Sequence, residues 1–312
     1  MGMIHTRQKG VALLTVLLVV VLATIAAVGM TSRQQIDIRR TENILRNEQI
    51  YFYLLGAEDW AKQILAQDSK DNTTDTLADD WATVLPPLPI DGGTVSGMME
   101  DVQGRFNINS LLIDGKVDEE NLKRFKRLLQ VIELSPRIAD AVVDWLDNNE
   151  EARPQGAEDI VYLNNESPYR AANSEMASTS ELLYVSGMDF DSYQLLEKHL
   201  CALPGNTAIN INTSSAAVIA SLAEGVTLAS AKQLVDERGI GGYASVDDFI
   251  KHGIFSKNKP KKTGLSVSSQ HFLLKAKVIM GQSQSHLQSL IKRVSTKNMV
   301  VLHRSREKYI DR

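Results

Sequence analysis

Hydrophobic and polar positions divide the chain into stretches of different rhythm. Val11 to Met30 is a run of twenty apolar or small residues without one charge. At 1.5 Å of rise per residue, such a helix spans about 30 Å, the thickness of a bilayer's hydrocarbon core. From Thr31 to Ala66 the pattern turns amphipathic, with Ile36, Ile44, Leu45, Tyr51, Phe52, Leu55, Trp60, Ile64 and Leu65 near helical spacing. No proline interrupts residues 11–85. The pattern therefore predicts one helix from about 11 to 67, its first half in the membrane and its second half packed on a head. The tract Ala66 to Asp80 reads as a polar loop, and the Pro86–Pro89 segment as a second break. Thr94 to Asn109 reads as strands around Gly97 and Gly104.

Residues 107–262 read as mostly helical, with a weak internal repeat. Phe106–Ser110 (FNINS) is echoed by Ile209–Ser214 (ININTS), Ala139–Asp147 by Ser230–Arg238, and Ser178–Met188 by Ser245–Phe255. Each unit runs from an Asn/Ser helix start through an amphipathic helix to a Ser/Thr-capped one. After Lys262 the period changes to two. Phe272, Leu274, Ala276, Val278 and Met280 share one face, and His286–Val294 and Met299–Arg304 follow after short turns, predicting a three-stranded antiparallel meander. The expected class is α+β: a long N-terminal helix and a small antiparallel sheet made by 68–106 and 263–312, with an all-helical domain of two similar units (107–262) inserted into it.

Charge adds a contrast between segments. Residues 107–262 hold 16 Lys+Arg against 23 Asp+Glu, net −7, whereas 263–312 hold 9 against 2, net +7. An acidic middle argues against broad phosphate binding there, since affinity for nucleic acid is mostly charge neutralisation. Cys201 is the sole cysteine, which excludes an intramolecular disulfide and leaves the compartment open. The six histidines form no metal spacing, no HExxH or GxSxG occurs, and His199 and Cys201, two apart, do not share a helix face. No catalysis is expected.

The apolar run is longer than that of a cleaved secretory signal, although Ala26-Ala27-Val28-Gly29 has the small-x-small form of a cut site. Directly before the run stand Arg7, Lys9 and Gly10. This short basic segment ending in glycine resembles a type IV prepilin-like leader. The resemblance implies that residues 1–10 are the leader, that a membrane prepilin peptidase cuts between Gly10 and Val11, and that Val11 becomes the N-methylated first residue of a retained helix. Glycine before the scissile bond lets an extended backbone enter a tight site without a side-chain clash. The family's usual glutamate at mature position five is replaced by Thr15, which removes the carboxylate that would answer a neighbour's terminal ammonium. That departure suits the tip of a filament.

Leader, Thr15, PQGAEDIVYL, SPYRAAN and SELLYVSGM together resemble the protein K family of type II secretion system minor pseudopilins along essentially the whole chain. The resemblance implies a sterile-alpha-motif-like helical domain and an inner-membrane single-pass protein with its C-terminal head in the periplasm. It implies a place at the tip of a short periplasmic filament, initiating or capping assembly for export of folded proteins. Expected partners are the I- and J-type minor pseudopilins and the inner-membrane assembly platform, met through exposed apolar side chains of the helix such as Ile38 and Ile50, with no nucleic acid. The acidic loop Asp144–Asp159 lacks EF-hand spacing but offers the hard oxygens that calcium takes. Relatives in the family hold calcium in their helical domain, so Asp147, Glu151, Glu158, Asp159 and, as a neutral ligand, Asn173 are the candidates, against the alternative of a solvated acidic loop. The second unit also resembles DNA-binding helix-hairpin-helix repeats, but Thr227 stands where their second hairpin glycine belongs, beside Glu224. A membrane-anchored DNA-binding module is the alternative function.

Overall fold

The computed structural model describes residues 9–306, with side chains from Val11 onward. Helix α1 runs unbroken from Lys9–Asp71, 63 residues and about 95 Å. No proline lies in it, and Gly29 and Gly56 stand in open space, so nothing bends or stops it before Asp71. Among the described residues it is the one helix long and apolar enough to cross a membrane. Its apolar half keeps its few hydroxyls occupied internally. Thr15, Thr24 and Thr31 each donate to a backbone carbonyl one turn back, at 2.8–2.9 Å, as a polar group must where no water reaches.

The other half of α1 builds the body of the molecule. Ile50, Leu54, Glu58, Ala61, Leu65 and Asp68 are buried at spacings of three and four, one stripe along the helix. That stripe lies on a five-stranded antiparallel sheet in chain order: β1 (Leu85–Ile90), β2 (Gly93–Asp101), β3 (His271–Met280), β4 (Ser283–Ser295) and β5 (Asn298–Ser305). Phe272, Leu274, Ala276, Val278 and Met280 of β3 face α1, as do Leu287 and Ile291 of β4. Trp81, in the turn after α1, closes the end of this core with its ring edge on Phe272, centroids 5.1 Å apart.

Residues 102–270 intervene between β2 and β3, which pair directly from Gly93↔Met280 to Asp101↔Phe272. They form two units with the same opening. In the first, Phe106–Asn107 pairs in parallel with Leu200–Cys201; in the second, Ile209–Asn210 pairs in parallel with Leu265–Ser266. Asn107 and Asn210 each accept from the backbone N–H two residues on. Asn109 and Asn212 each clamp a distant strand of backbone by donating and accepting, to Met176 and Tyr243 respectively. The FNINS/ININTS echo is thus a repeated piece of buried amide geometry. Helices α2 (Glu119–Val131), α3 (Ile138–Leu146), α4 (Asp159–Tyr162) and α5 (Phe190–Leu196) belong to the first unit. Helices α6 (Ala216–Ser221), α7 (Leu228–Arg238) and α8 (Val246–Ile250) belong to the second. Both units share one apolar core, with Phe106 stacked on Phe125 at 5.5 Å.

Several expectations change. The helix extends past residue 67 through Asp71, because Asp68 is drawn into the buried stripe and capped by an ion pair. The proline segment is an edge strand, since an outermost strand needs donors on one side only. The meander is therefore part of a five-stranded sheet. Of the strands expected over 94–109, the first ends at Asp101, a tight helical turn at Val102–Gly104 takes the place of strand around Gly104, and a two-residue strand, Phe106–Asn107, follows. Ile50 is 2% exposed and belongs to the core, so it is no partner contact.

Glu58 is the polar tie between helix and sheet. Its carboxylate accepts from Ser289 (2.7 Å) and from Arg304 through two nitrogens (2.7 and 2.8 Å), with Lys62 Nζ at 3.0 Å. Burial alone would raise its pKa, but Arg304, Ser289 and Lys62 overcome that and hold it at about 2. A depressed carboxyl pKa stabilises the fold at neutral pH and loses that contribution as pH falls from about 4.5 to about 2. Glu58→Gln should therefore destabilise the head by on the order of 2 kcal/mol at pH 7 and by roughly half as much at pH 3. Thermal unfolding across that pH range checks it; an equal loss at both pH values would contradict the assignment.

Candidate functional site

Three features bear on function: the face of α1 left bare by the sheet, an acidic nest in the first helical unit, and the N-terminal end of α1. The bare face follows from helical geometry. Phe52 lies two residues from both Ile50 and Leu54, about 200° around the helix from each, so it points away from the sheet. Ile38, Leu45 and Phe52 recur every seven residues and are 50%, 64% and 69% exposed. That is the spacing of a seam that packs on another helix. From Val11 to Gln49 no side chain is buried, and Arg46 alone among them is half-buried.

The acidic nest forms where α3 ends. Asp144 and Asp147, three apart, project from the last turn of α3, and Glu158 precedes α4. All three are buried, at 0%, 6% and 4% exposure. Asp144 Oδ2 accepts from Arg153 N at 3.0 Å, while its Oδ1 has no protein partner; nor has either oxygen of Glu158. Asn173 holds a left-handed backbone (φ 47°) and donates its N–H to Trp145 O, and its buried Oδ1 is likewise unpartnered. The loop comes very close to the acid: a Cβ on Gly156 would sit 1.7 Å from Asp144 Oδ2, so only glycine fits. Burial pushes Glu158 up to about 7, reinforced by Asp144, Asp147, Asp159 and Glu150, and burial pushes Asp144 up to about 6.

Buried carboxylate oxygens and an amide oxygen without donors are costly as they stand. They are also the hard oxygen set that calcium takes, so the residues fit that ion. Of the candidates read from sequence, Asp147, Glu158 and Asn173 lie in or beside this nest. Asp159 is committed elsewhere, accepting from Arg170 Nη1 at 2.6 Å and Ala171 N at 3.0 Å. Glu151 is exposed, and its backbone N–H donates to Asn149 in the turn. Sequence reasoning left Asp144 out of the ligand set. Its signal was the i, i+3 pair it makes with Asp147 across an otherwise apolar helix end.

A second acidic group, Asp68, Asp75 and Asp79, brings carboxylate oxygens within 4.8 Å of one another. Here a guanidinium already supplies the positive charge: Arg293 contacts Asp68 at 2.8 Å and Asp75 at 2.9 Å. Asp79 is spent on Thr76 N at 2.7 Å.

Cys201 is buried, and burial pushes its thiol up to about 12. His199 Nδ1 lies 3.0 Å from Ser215 Oγ and forms no pair with the thiol. Thr227 caps α7 by accepting from Ser230 N at 3.2 Å, a use for the residue that replaces the hairpin glycine. Of the N-terminal assignments, residues 1–8 of the leader lie outside the described residues. The backbone at Gly10 is already helical, and Val11 and Thr15 are exposed on α1.

Comparison with known proteins gives one answer. Two family models described as Type II secretion system (T2SS), protein K match, one over residues 104–205 and the other over 209–268. The type II secretion system protein K of Pseudomonas aeruginosa is 36% identical over 92% of this chain and 89% of its own length. That of Pectobacterium carotovorum is 35% identical over 95% and 96%. A chain in the crystal structure of the GspK-GspI-GspJ complex from enterotoxigenic Escherichia coli superposes with a TM-score of 0.78 and 26% identity, covering 86% of this chain and all of that one. None of these supports a DNA-binding role. Two family models, relatives matched nearly end to end and a shared three-dimensional fold place the chain in the type II secretion system protein K family.

Proposed function

We propose that this minor pseudopilin stands once, at the tip of a short periplasmic filament, where it initiates or caps assembly. The observation that carries the reading is the insertion of residues 102–270 between β2 and β3. It widens the head far beyond what a small axial rise per subunit accommodates, so repetition along a fibre would clash. Thr15 supports it from the other end. Its hydroxyl is satisfied within the helix and offers no charge to a terminal ammonium ahead. A single apolar span followed by a folded head fits an inner-membrane anchor with the head in the periplasm. Cutting after Gly10 and methylation at Val11 would leave that span intact. The expected partners are other minor pseudopilins, as in the complex of the Escherichia coli relative, docked along Ile38, Leu45 and Phe52. The prepilin peptidase and the inner-membrane platform complete the set. Calcium held by Asp144, Asp147, Glu158 and Asn173 would satisfy the orphaned oxygens of Asp144, Glu158 and Asn173 and tie the α3 end to the loop before α4; its role there is structural.

The intact mass of the membrane-extracted chain should correspond to residues 11–312 plus one methyl group. A mature end after Gly29 would overturn the pilin-like reading. A photo-crosslinker at Phe52 should capture another minor pseudopilin, and Phe52→Glu should cut secretion at least about tenfold, since one charge against an apolar helix seam costs more than 1.4 kcal/mol. A crosslinker at Ile50 should capture nothing.

The calcium test carries its own sign. Without metal, the raised pKa values of Glu158 and Asp144 mean that their ionisation opposes folding. The fold favours their protonated forms, and that stability, present below about pH 4, is lost as pH rises to about 7. Calcium should raise the melting temperature more at pH 8 than at pH 5, by about 2.7 kcal/mol of stability at a hundred times its Kd. Glu158→Gln should abolish most of the calcium response. An equal calcium response in the Glu158→Gln variant would remove these residues from the site.

A further inference from the structure

The chain crosses between the body and the inserted part at only two places, the exit of β2 and the entry to β3. Two adjacent crossings are the layout of a hinge. What surrounds them here is the opposite of a hinge. Asp101, at the end of β2, is buried and accepts four hydrogen bonds: from Gln103 N (2.8 Å), Asn210 Nδ2 (2.8 Å), Thr213 Oγ1 (2.6 Å) and Ser269 Oγ (2.6 Å). Two residues on, buried Gln103 accepts through Oε1 from Gln270 N and His271 N at 2.7 and 3.1 Å, and donates through Nε2 to Ala208 O at 2.9 Å. Gly104 then passes so close to the second unit that a Cβ there would lie 2.6 Å from Thr213 Oγ1.

The network continues into the body. Asn210 Nδ2 also donates to Asp75 O, Ser269 N donates to Asp75 Oδ2, and Arg293 of β4 bridges Asp75 to Asp68 at the end of α1. The first unit is clasped separately. Val102, Cys201 and Leu203 form a small core with Leu273 and Leu290, on the sheet face away from α1. Both units are thus fixed to the body, one by buried polar groups and one by apolar contact.

We propose that the Asp101–Gly104 turn and its partners are a rigid coupling that makes the inserted part and the α1–sheet body move as one unit. It rests on the pseudopilin reading for its use: any displacement of α1 reaches the inserted part without being absorbed at the joint. A hydrogen-bonded carboxylate with four converging donors from three segments has one geometry that satisfies them all, and bending at either crossing would orphan buried groups.

The test is a distance distribution between nitroxide labels at Thr296→Cys in the body and Lys257→Cys in the second unit, on the full chain in detergent, with buried Cys201 left in place. The unaltered joint should give one narrow peak. Asp101→Asn, which changes one atom, and Gly104→Val, which forces Thr213 away, should each broaden it at least about twofold, as released hinges do, while far-UV circular dichroism stays the same. A broad or double peak with the joint unaltered overturns the proposal whatever the variants do, and so does an Asp101→Asn variant as narrow as its parent. The measurement uses isolated protein, so its failure would leave the filament position standing.

Discussion

The burial of one stripe of α1 against the sheet is the contact on which the rest of the structure depends. Ile50, Leu54, Ala61 and Leu65 supply the apolar area, and Glu58 and Asp68 supply charged ties to Arg304 and Arg293. Because the helix is continuous, seating its second half also fixes where its first half points. Because the stripe occupies only one side, Ile38, Leu45 and Phe52 are left bare on the other. An apolar span long enough for a membrane, a folded head and an exposed apolar seam are therefore three consequences of one helix with two different halves.

The inserted part solves a separate problem. It has its own large core, distinct from the core beneath α1. What it lacks is a full set of partners for its buried acids. Asp144 and Glu158 hold oxygens that no protein donor reaches, and that is a poor arrangement for a fold unless a cation supplies the missing bonds. By contrast, Asp68 and Asp75 near the end of α1 are answered by Arg293.

Features governed by local periodicity were legible in the chain. The period-two run of β3 and the uncharged span of α1 needed no tertiary information, and the FNINS/ININTS echo marked the repeated amide turns. What stayed hidden depended on contacts across the chain. Ile50 and Phe52 are both apolar residues of one helix, and only the sheet decides which is buried. Pro86, Pro87 and Pro89 look like a break until the strand they form is seen at the sheet edge. Asp144 and Asp159 are both acids of one stretch, yet Arg170 claims the second, while one oxygen of the first is left without a donor. Asp101 gave no sign of its role, because its partners lie more than a hundred residues away in Asn210, Thr213 and Ser269.

The claim that one wide-headed subunit occupies the end of the filament is tested most directly by where it is found. Filaments assembled with this chain tagged at an exposed site of the inserted part, labelled with gold and imaged by electron microscopy, should carry one label, at one end. Labels at regular intervals along the length would contradict the account.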